Sequence, residues 1–464
     1  MVVDIAVAPR RPVLLPAVAA MVVGALVLVF ALDTALGSLA ALGAVAVFAY
    51  LAHARWLAAC AAVWVLVFLS VLIMPGPYDS WAGRAAIPVL AGYVLCFLGG
   101  WALVRWPLAR RLRRRAAPLE GAAPARSSVV WPSEFRLRGY LLVLLAVAGC
   151  AGYLRYHGIV PPVFADNPDA ARAALSQRAN IVEGLLSEAW TLGMAISLLR
   201  ALIGGRNGRW LYLAATAVFA FGAALGASKN SVLVGIVPAI IAALAVPHPH
   251  RPGGSVAARL ARFRPSLRTG LVLGVGVVAV GAAVFLGGQR TLAGTGSFED
   301  EFRARYGGNA ITASAASLDL SLSSSTETFG RLWYQRGALP PRWGAYTLQF
   351  LGKRVQPLTG KTDMYGITAQ LSAPYYMNTA TFVAIPLLDY GPAGAALFLL
   401  LLGGCVGLGE RALDLVASPA GRLGLGFIVY FSLFGIYELY PAIYPTWLSI
   451  VPGLWLLHRL GRSA

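Results

Sequence analysis

Apolar runs about as long as a bilayer is thick recur along the whole chain, and they leave it few ways to fold. A hydrocarbon core of roughly 30 Å takes about 20 helical residues to cross. Such runs fall near residues 12–32, 36–52, 56–74, 85–104, 138–154, 185–202, 210–227, 231–246, 269–287, 380–405, 422–439 and 444–458. Hydrophobic residues make up 58% of the 464, and charged residues only 12%, against about 25% charged in a soluble domain. A helix that is apolar all round needs lipid or a large core around it, and lipid admits helices because they satisfy their own backbone hydrogen bonds. The expected fold is all-α: a polytopic membrane protein of about twelve transmembrane helices, one membrane domain over residues 1–464. The first run has the basic flank of a signal peptide, Arg10 and Arg11, but another run follows at once, so it is expected to be retained as a helix. The chain has no internal repeat and no soluble segment of domain size.

Lys and Arg in the loops give the orientation. With the N-terminus inside, the cytoplasmic segments are 1–11, 53–55, 105–138, 200–209, 247–268, 406–422 and 459–464. They hold 24 of the 38 basic residues and 5 of the 19 acidic ones, so the whole net charge of +19 lies on that face. Basic loops beside anionic headgroups account for this charge without any nucleic acid. Two segments on the other face are too long for turns: 155–184 and 288–379. Loops longer than about 15 residues are usually functional or disordered. The second is too rich in aromatics for disorder, with Tyr306, Phe329, Trp333, Tyr334, Trp343, Tyr346 and Phe350. It is expected to form short helices on the outer membrane surface, capping a cavity.

Several chemistries are excluded early. Cys60, Cys96, Cys150 and Cys405 each lie in an apolar run, away from metal-ligand spacing and from any disulfide framework. The loop 288–379 contains no His, so no His-based mechanism can operate there. No Walker, Rossmann or GxSxG motif occurs. Glu299, Asp300 and Glu301 are consecutive and cannot share one face, which argues against a divalent metal site. The chain is therefore expected to need no metal and no cofactor.

What remains is cationic and aromatic. Arg172 and Arg178 lie in the first long loop, where arginine is suited to a diphosphate or to lipid headgroups. Lys229, in the polar break Ser228-Lys229-Asn230, either serves a site or snorkels from a turn. Arg290 emerges at the end of the ninth run with no acidic neighbour, whereas Arg303 and Arg305 follow the acidic triplet and have partners at hand. Asp389 precedes Gly391, Pro392 and Gly394, which should break the helix and leave a short helix before the true span. A carboxylate there either caps a helix or orients an acceptor hydroxyl. Trp333, Tyr334 and Trp343 either stack on sugar faces or anchor the loop at the interface.

Three stretches, GIVPPVFADNPDAAR, GASKNS with the apolar run after it, and NTATFVAIPLLDYGPAGAALFLLLLGG, resemble the Wzy-type oligosaccharide repeat-unit polymerases of the O-antigen polymerase and ligase superfamily. The arrangement of many spans with a large outer loop before the last three is similar too, and implies a GT-C-like architecture. Members commonly carry Ser-Arg where this chain has Ser228-Lys229, which keeps the charge without the bidentate fork. Ligases typically have His-Asn where this chain reads Met377-Asn378, which favours polymerase over ligase. The resemblance implies a bacterial inner-membrane enzyme with both termini cytoplasmic and its site facing the exterior. It implies a metal-independent, inverting transfer between polyprenyl-diphosphate-linked oligosaccharides, with a chain-length regulator or a flippase as protein partner. Arg172, Lys229 and Arg290 are then expected on the diphosphate, Asp389 on the acceptor side, and Arg178, Arg303, Arg305, Trp333, Tyr334 and Asn378 along the substrate. A ligase-like transferase and a glycan exporter are the rival classes. The apolar runs carry little charge at mid-depth, which argues against transport.

Overall fold

The computed structural model describes residues 34–51, 54–73, 81–116, 129–165, 170–171, 174–175, 181–204, 208–226, 229–246, 310–339, 343–348, 364–371, 380–414, 416, 418–436, 439 and 446–462. Among them every regular element is a helix. In chain order these are α1 (Ala35–Leu51), α2 (Arg55–Ile73), α3 (Trp81–Ala116), α4 (Glu134–Tyr156), α5 (Ile181–Ile203), α6 (Arg209–Ala224), α7 (Lys229–Ala245), α8 (Ala310–Gln335), α9 (Met364–Leu371), α10 (Ala384–Asp414), α11 (Pro419–Leu433) and α12 (Thr446–Arg462). Helices α2, α3, α4, α5, α10 and α11 are long and apolar enough to cross a membrane; α1, α6 and α7 are shorter apolar helices. The apolar runs at 12–32 and 269–287 lie outside the described residues.

Contacts between helix ends sort into two layers. On one, Arg55 at the start of α2 donates to Leu244 O (3.1 Å) and Ala245 O (3.3 Å) at the end of α7. Glu134 at the start of α4 pairs with Arg200 near the end of α5 and accepts from Tyr212 Oη of α6 at 2.5 Å. Arg105 of α3 faces Glu410 of α10 at 3.5 Å, and His458 of α12 meets Ser418 at 3.3 Å. On the other layer, Arg155 near the end of α4 pairs with Glu183 near the start of α5 (3.7 Å), and Val163 N–H donates to Leu225 O after α6 (3.2 Å). The described helices joined by these contacts thus run alternately between the two layers. The first layer, with Arg55, Arg105, Arg138 and Arg200, is here called the basic face.

Two helices run further than their apolar cores. α3 continues without a break from Trp81 to Ala116, so the arginines from Arg105 to Arg115 extend a helix and do not form the expected loop. α10 reaches Asp414 and carries Glu410 into the packed interior, where it accepts from Trp101 Nε1 at 2.7 Å. α10 is also two helices joined at a kink: Gly391 has φ 68° and ψ −176°, outside any helical geometry. That is the break expected from Gly391-Pro392, with a short helix ahead of the span.

α3 is the most enclosed of the membrane-length helices. It meets α10 at backbone distance. A Cβ on Gly100 would stand 1.9 Å from Leu400 O, one on Gly403 1.9 Å from Phe97 O, and one on Gly407 2.7 Å from Trp101 O. Small residues spaced four apart let helices pack this closely in a medium without hydrophobic drive. Around the crossing, Phe97 packs edge-on to Trp101 and to Phe382, with centroids 5.9 and 5.3 Å apart.

The crossing predicts a contrast between glycines. Gly403→Ala forces two backbones apart, an overpacking cost of about 3 kcal/mol. Gly43→Ala in α1 meets nothing within 4 Å and gains about 1 kcal/mol of helix propensity. Thermal unfolding in detergent should show a clear drop for the first and none for the second. Equal midpoints would refute the crossing.

Candidate functional site

The face opposite the basic one gathers polar chemistry, and α8 brings most of it. This helix belongs to the long loop 288–379, yet it is 26 residues long and its second half packs into the bundle against α2 and α3. The expected short surface helices are thus replaced here by one long inserted helix. Its sequence from Ser323 to Thr328 is polar throughout, and all of it is buried.

Helix geometry explains how such a segment is tolerated. The first N–H groups of α3 have no partner within their own helix. Gly83 N–H donates to Glu327 Oε2 at 2.6 Å, so a buried carboxylate closes the amino end of α3. The approach needs glycine on both sides: a Cβ on Gly330 would lie 2.2 Å from Ala82 O, and one on Gly83 2.8 Å from Glu327 Oε2. One turn on, Arg331 Nε donates to Glu327 Oε1 at 3.0 Å, and its Nη1 donates to Leu371 O, the last carbonyl of α9, at 3.0 Å. The anion therefore faces the positive end of one helix and the cation the negative end of another. A buried ion pair survives only when its remaining donors and acceptors are engaged in this way. The hydroxyl of Thr328 bonds Ser324 O at 2.9 Å. The buried hydroxyls of Thr326 and Thr381 have no partner among the described residues.

An aromatic and cationic cluster continues from α8. Trp333 lies edge-on to Tyr93 of α3, with centroids 6.2 Å apart. Arg336 stacks on Trp333 as well: its guanidinium carbon is 3.7 Å from the Trp333 centroid, and its Nη1 donates to Trp333 O at 2.5 Å. Tyr334 is half exposed beside them. Tyr93 Oη donates to Pro392 O at 3.2 Å, just past the Gly391 kink.

Asp389 sits just ahead of that kink and is fully buried. Its Oδ1 accepts from Tyr346 N–H (3.0 Å), and its Oδ2 from Thr347 N–H (2.7 Å) and Thr347 Oγ1 (2.6 Å). Its carbonyl accepts from Trp343 N–H at 3.0 Å. The carboxylate is thus a cap, but for the loop turn 343–348 and not for the helix that follows. Trp343, at a positive φ of 45° and 80% exposed, projects from that turn.

The structure therefore joins four of the residues singled out in the sequence: Trp333, Tyr334, Trp343 and Asp389 share one corner of the bundle, linked through Tyr93, the kink and the turn 343–348. Lys229 is the first residue of α7. It starts on the same face, but α7 packs against α5, α6 and α11, a neighbouring part of the bundle. Arg172, Arg178, Arg290, Arg303, Arg305 and Asn378 lie outside the described residues. Glu327, Arg331, Arg336 and Tyr93 were not evident from the sequence. The one signal for the first two was a Glu and an Arg four residues apart in a run of small polar residues, the spacing of a helical ion pair.

Comparison with protein-family models, curated proteins and solved structures gives no match for the chain.

Removing one partner of the buried pair leaves a desolvated charge. Glu327→Gln is expected to cost about 3 kcal/mol, and Arg331→Met a comparable amount, while the double variant Glu327→Gln/Arg331→Met recovers part of the loss. A double-mutant cycle on thermal midpoints measures this. Strict additivity would show that the two side chains do not act on one another.

Proposed function

We propose that the chain is a lipid-linked glycan polymerase of the Wzy type, with about twelve spans in a bacterial inner membrane. In this reading the basic face is cytoplasmic, both termini lie on it, and the α8 face looks outward. The observation that carries the reading is that the loop expected to meet the substrate is built into the bundle. Its helix α8 presents Trp333, Tyr334 and Arg336 beside the α10 kink, on the face away from the net positive charge.

The chemistry asks for such a corner. The hydroxyl of one lipid-linked repeat unit attacks the anomeric carbon of the growing glycan. The bond from that carbon to the polyprenyl diphosphate breaks, and the configuration inverts. Negative charge develops on a diphosphate tethered at the membrane edge, where preset cations in a partly dry site stabilise it. Arg172, Lys229 and Arg290 are assigned to that charge, and Arg178, Arg303, Arg305 and Asn378 to substrate contact. Aromatic faces at Trp333 and Tyr334 suit sugar rings. Asp389 is assigned to the acceptor side, where it fixes turn 343–348 and with it Trp343. Holding donor and acceptor in line supplies much of the remaining rate.

Purified protein with synthetic polyprenyl-diphosphate-linked repeat units should yield a ladder of products. Arg172→Ala and Arg290→Ala should each lower the rate about 100-fold, the cost of one preset stabiliser. A single transfer to an unrelated acceptor would identify a ligase instead. Ladders of normal length and rate from both variants would end the assignment.

A further inference from the structure

Helices α10 and α12 both pack on α11, and between them on the basic side lies a cleft of about 840 Å³. That is within the ~300–1,000 Å³ typical of ligand sites. Its floor is α11, with Gly424, Phe427 and Phe431, and its walls carry Leu413 from α10 and Leu454 from α12. Small residues keep the floor low: a Cβ on Gly424 would already touch Leu413 Cδ1 at 3.2 Å.

Its length and its ends are informative. The cleft follows α11 from Ser418 to Phe431, a span of about 20 Å at ~1.5 Å per residue. One leaflet of hydrocarbon is about 15 Å deep, half of the ~30 Å core. The inner end is apolar. The outer end, on the basic face, is polar: His458 Nδ1 lies 3.3 Å from Ser418 Oγ, and Arg462 lines the rim. Arg459 stands beside them with its guanidinium 5.1 Å above Trp455, a lining residue. Both arginines are exposed. An apolar trough somewhat longer than one leaflet is deep, an indole near its mouth and two cations at its end together suit a lipid with one acyl chain laid along it.

We propose that this cleft binds an anionic phospholipid of the leaflet on the basic face, one acyl chain lying along α11 and the headgroup between Arg459 and Arg462. The site is separate from the α8 corner and does not depend on the activity assigned to it. Arginine carries the headgroup contact because its fork suits a phosphate, and a net negative lipid gains where a zwitterionic one does not.

The test uses the full-length protein, released from detergent into native mass spectrometry after incubation with phosphatidylglycerol or phosphatidylcholine of identical chains. Wild type should retain phosphatidylglycerol preferentially. Arg459→Gln/Arg462→Gln should reduce that preference by about five-fold for each arginine removed. Both substitutions are at exposed positions, and an unchanged thermal midpoint establishes that the variant is folded before the lipids are compared. Val451→Trp, at an exposed lining position, should block the trough and reduce retention of both lipids. Equal retention of the two lipids by wild type would overturn the proposal, as would an unchanged preference in the double arginine variant. Stronger retention of a polyprenyl phosphate than of phosphatidylglycerol would assign the cleft to a different occupant and overturn it too.

Discussion

The bundle depends on how closely α3 can be approached from two sides. α10 reaches its backbone at Gly100, Gly403 and Gly407, and α8 reaches its amino end at Gly83 and Gly330. In lipid there is no gain from hiding apolar side chains, since the surroundings are equally apolar. Stability has to come from dispersion at short range and from polar groups that find partners inside. Glycine at the crossing serves both needs, because it brings carbonyls and N–H groups of different helices into one plane of contact. The enclosure of α3 follows from that contact.

Among the described residues, the buried carboxylates Glu327, Asp389 and Glu410 each meet backbone N–H groups or hydrogen-bonding side chains. Glu327 closes the start of α3 and the half-buried Arg331 the end of α9, while the exposed Arg55 closes the end of α7 at the surface. Glu410 is held between Trp101 and Arg105. Helix termini carry partial charges of about half a unit, so a side chain placed there is solvated by backbone in the absence of water. These contacts also bind helices that are distant in sequence, such as Gly83 and Glu327, and so hold the threading in place.

How much of this could be read in advance depends on the range of the interactions. The helical character of the apolar segments was legible because a bilayer demands long apolar runs, and six of the described helices are long and apolar enough to cross one. The break at Gly391-Pro392 was legible because the cause is local. α8 was not: its Ser/Thr-rich stretch reads as a loop, and only a glycine-lined contact with α3 makes it interior. The helical extensions past Arg105 and to Asp414 were missed because apolar length marks only the membrane-crossing part of a helix, and α3 and α10 run on beyond it. Asp389 was placed correctly at the kink, but its donors, Tyr346 and Thr347, lie more than forty residues upstream, a pairing no local pattern announces. The candidate cations in the two long loops rested on local sequence and on the family resemblance, and they lie outside the described residues.

The corner around α8 is fixed from several directions at once. Glu327 ties it to α3, Arg331 to α9, Trp333 to Tyr93, and Tyr93 in turn to the carbonyl beyond the α10 kink. Asp389, just before that kink, fastens the turn that carries Trp343. Just past the break, Pro392 O accepts from the Tyr93 hydroxyl of the neighbouring helix, which ties α3 to the kink. Electrostatic stabilisation of a developing charge is effective only when the stabilising groups need not rearrange. For the proposed transfer, helix α8 locked to the bundle at Glu327 and Arg331 would hold Trp333 and Arg336 in a preset position.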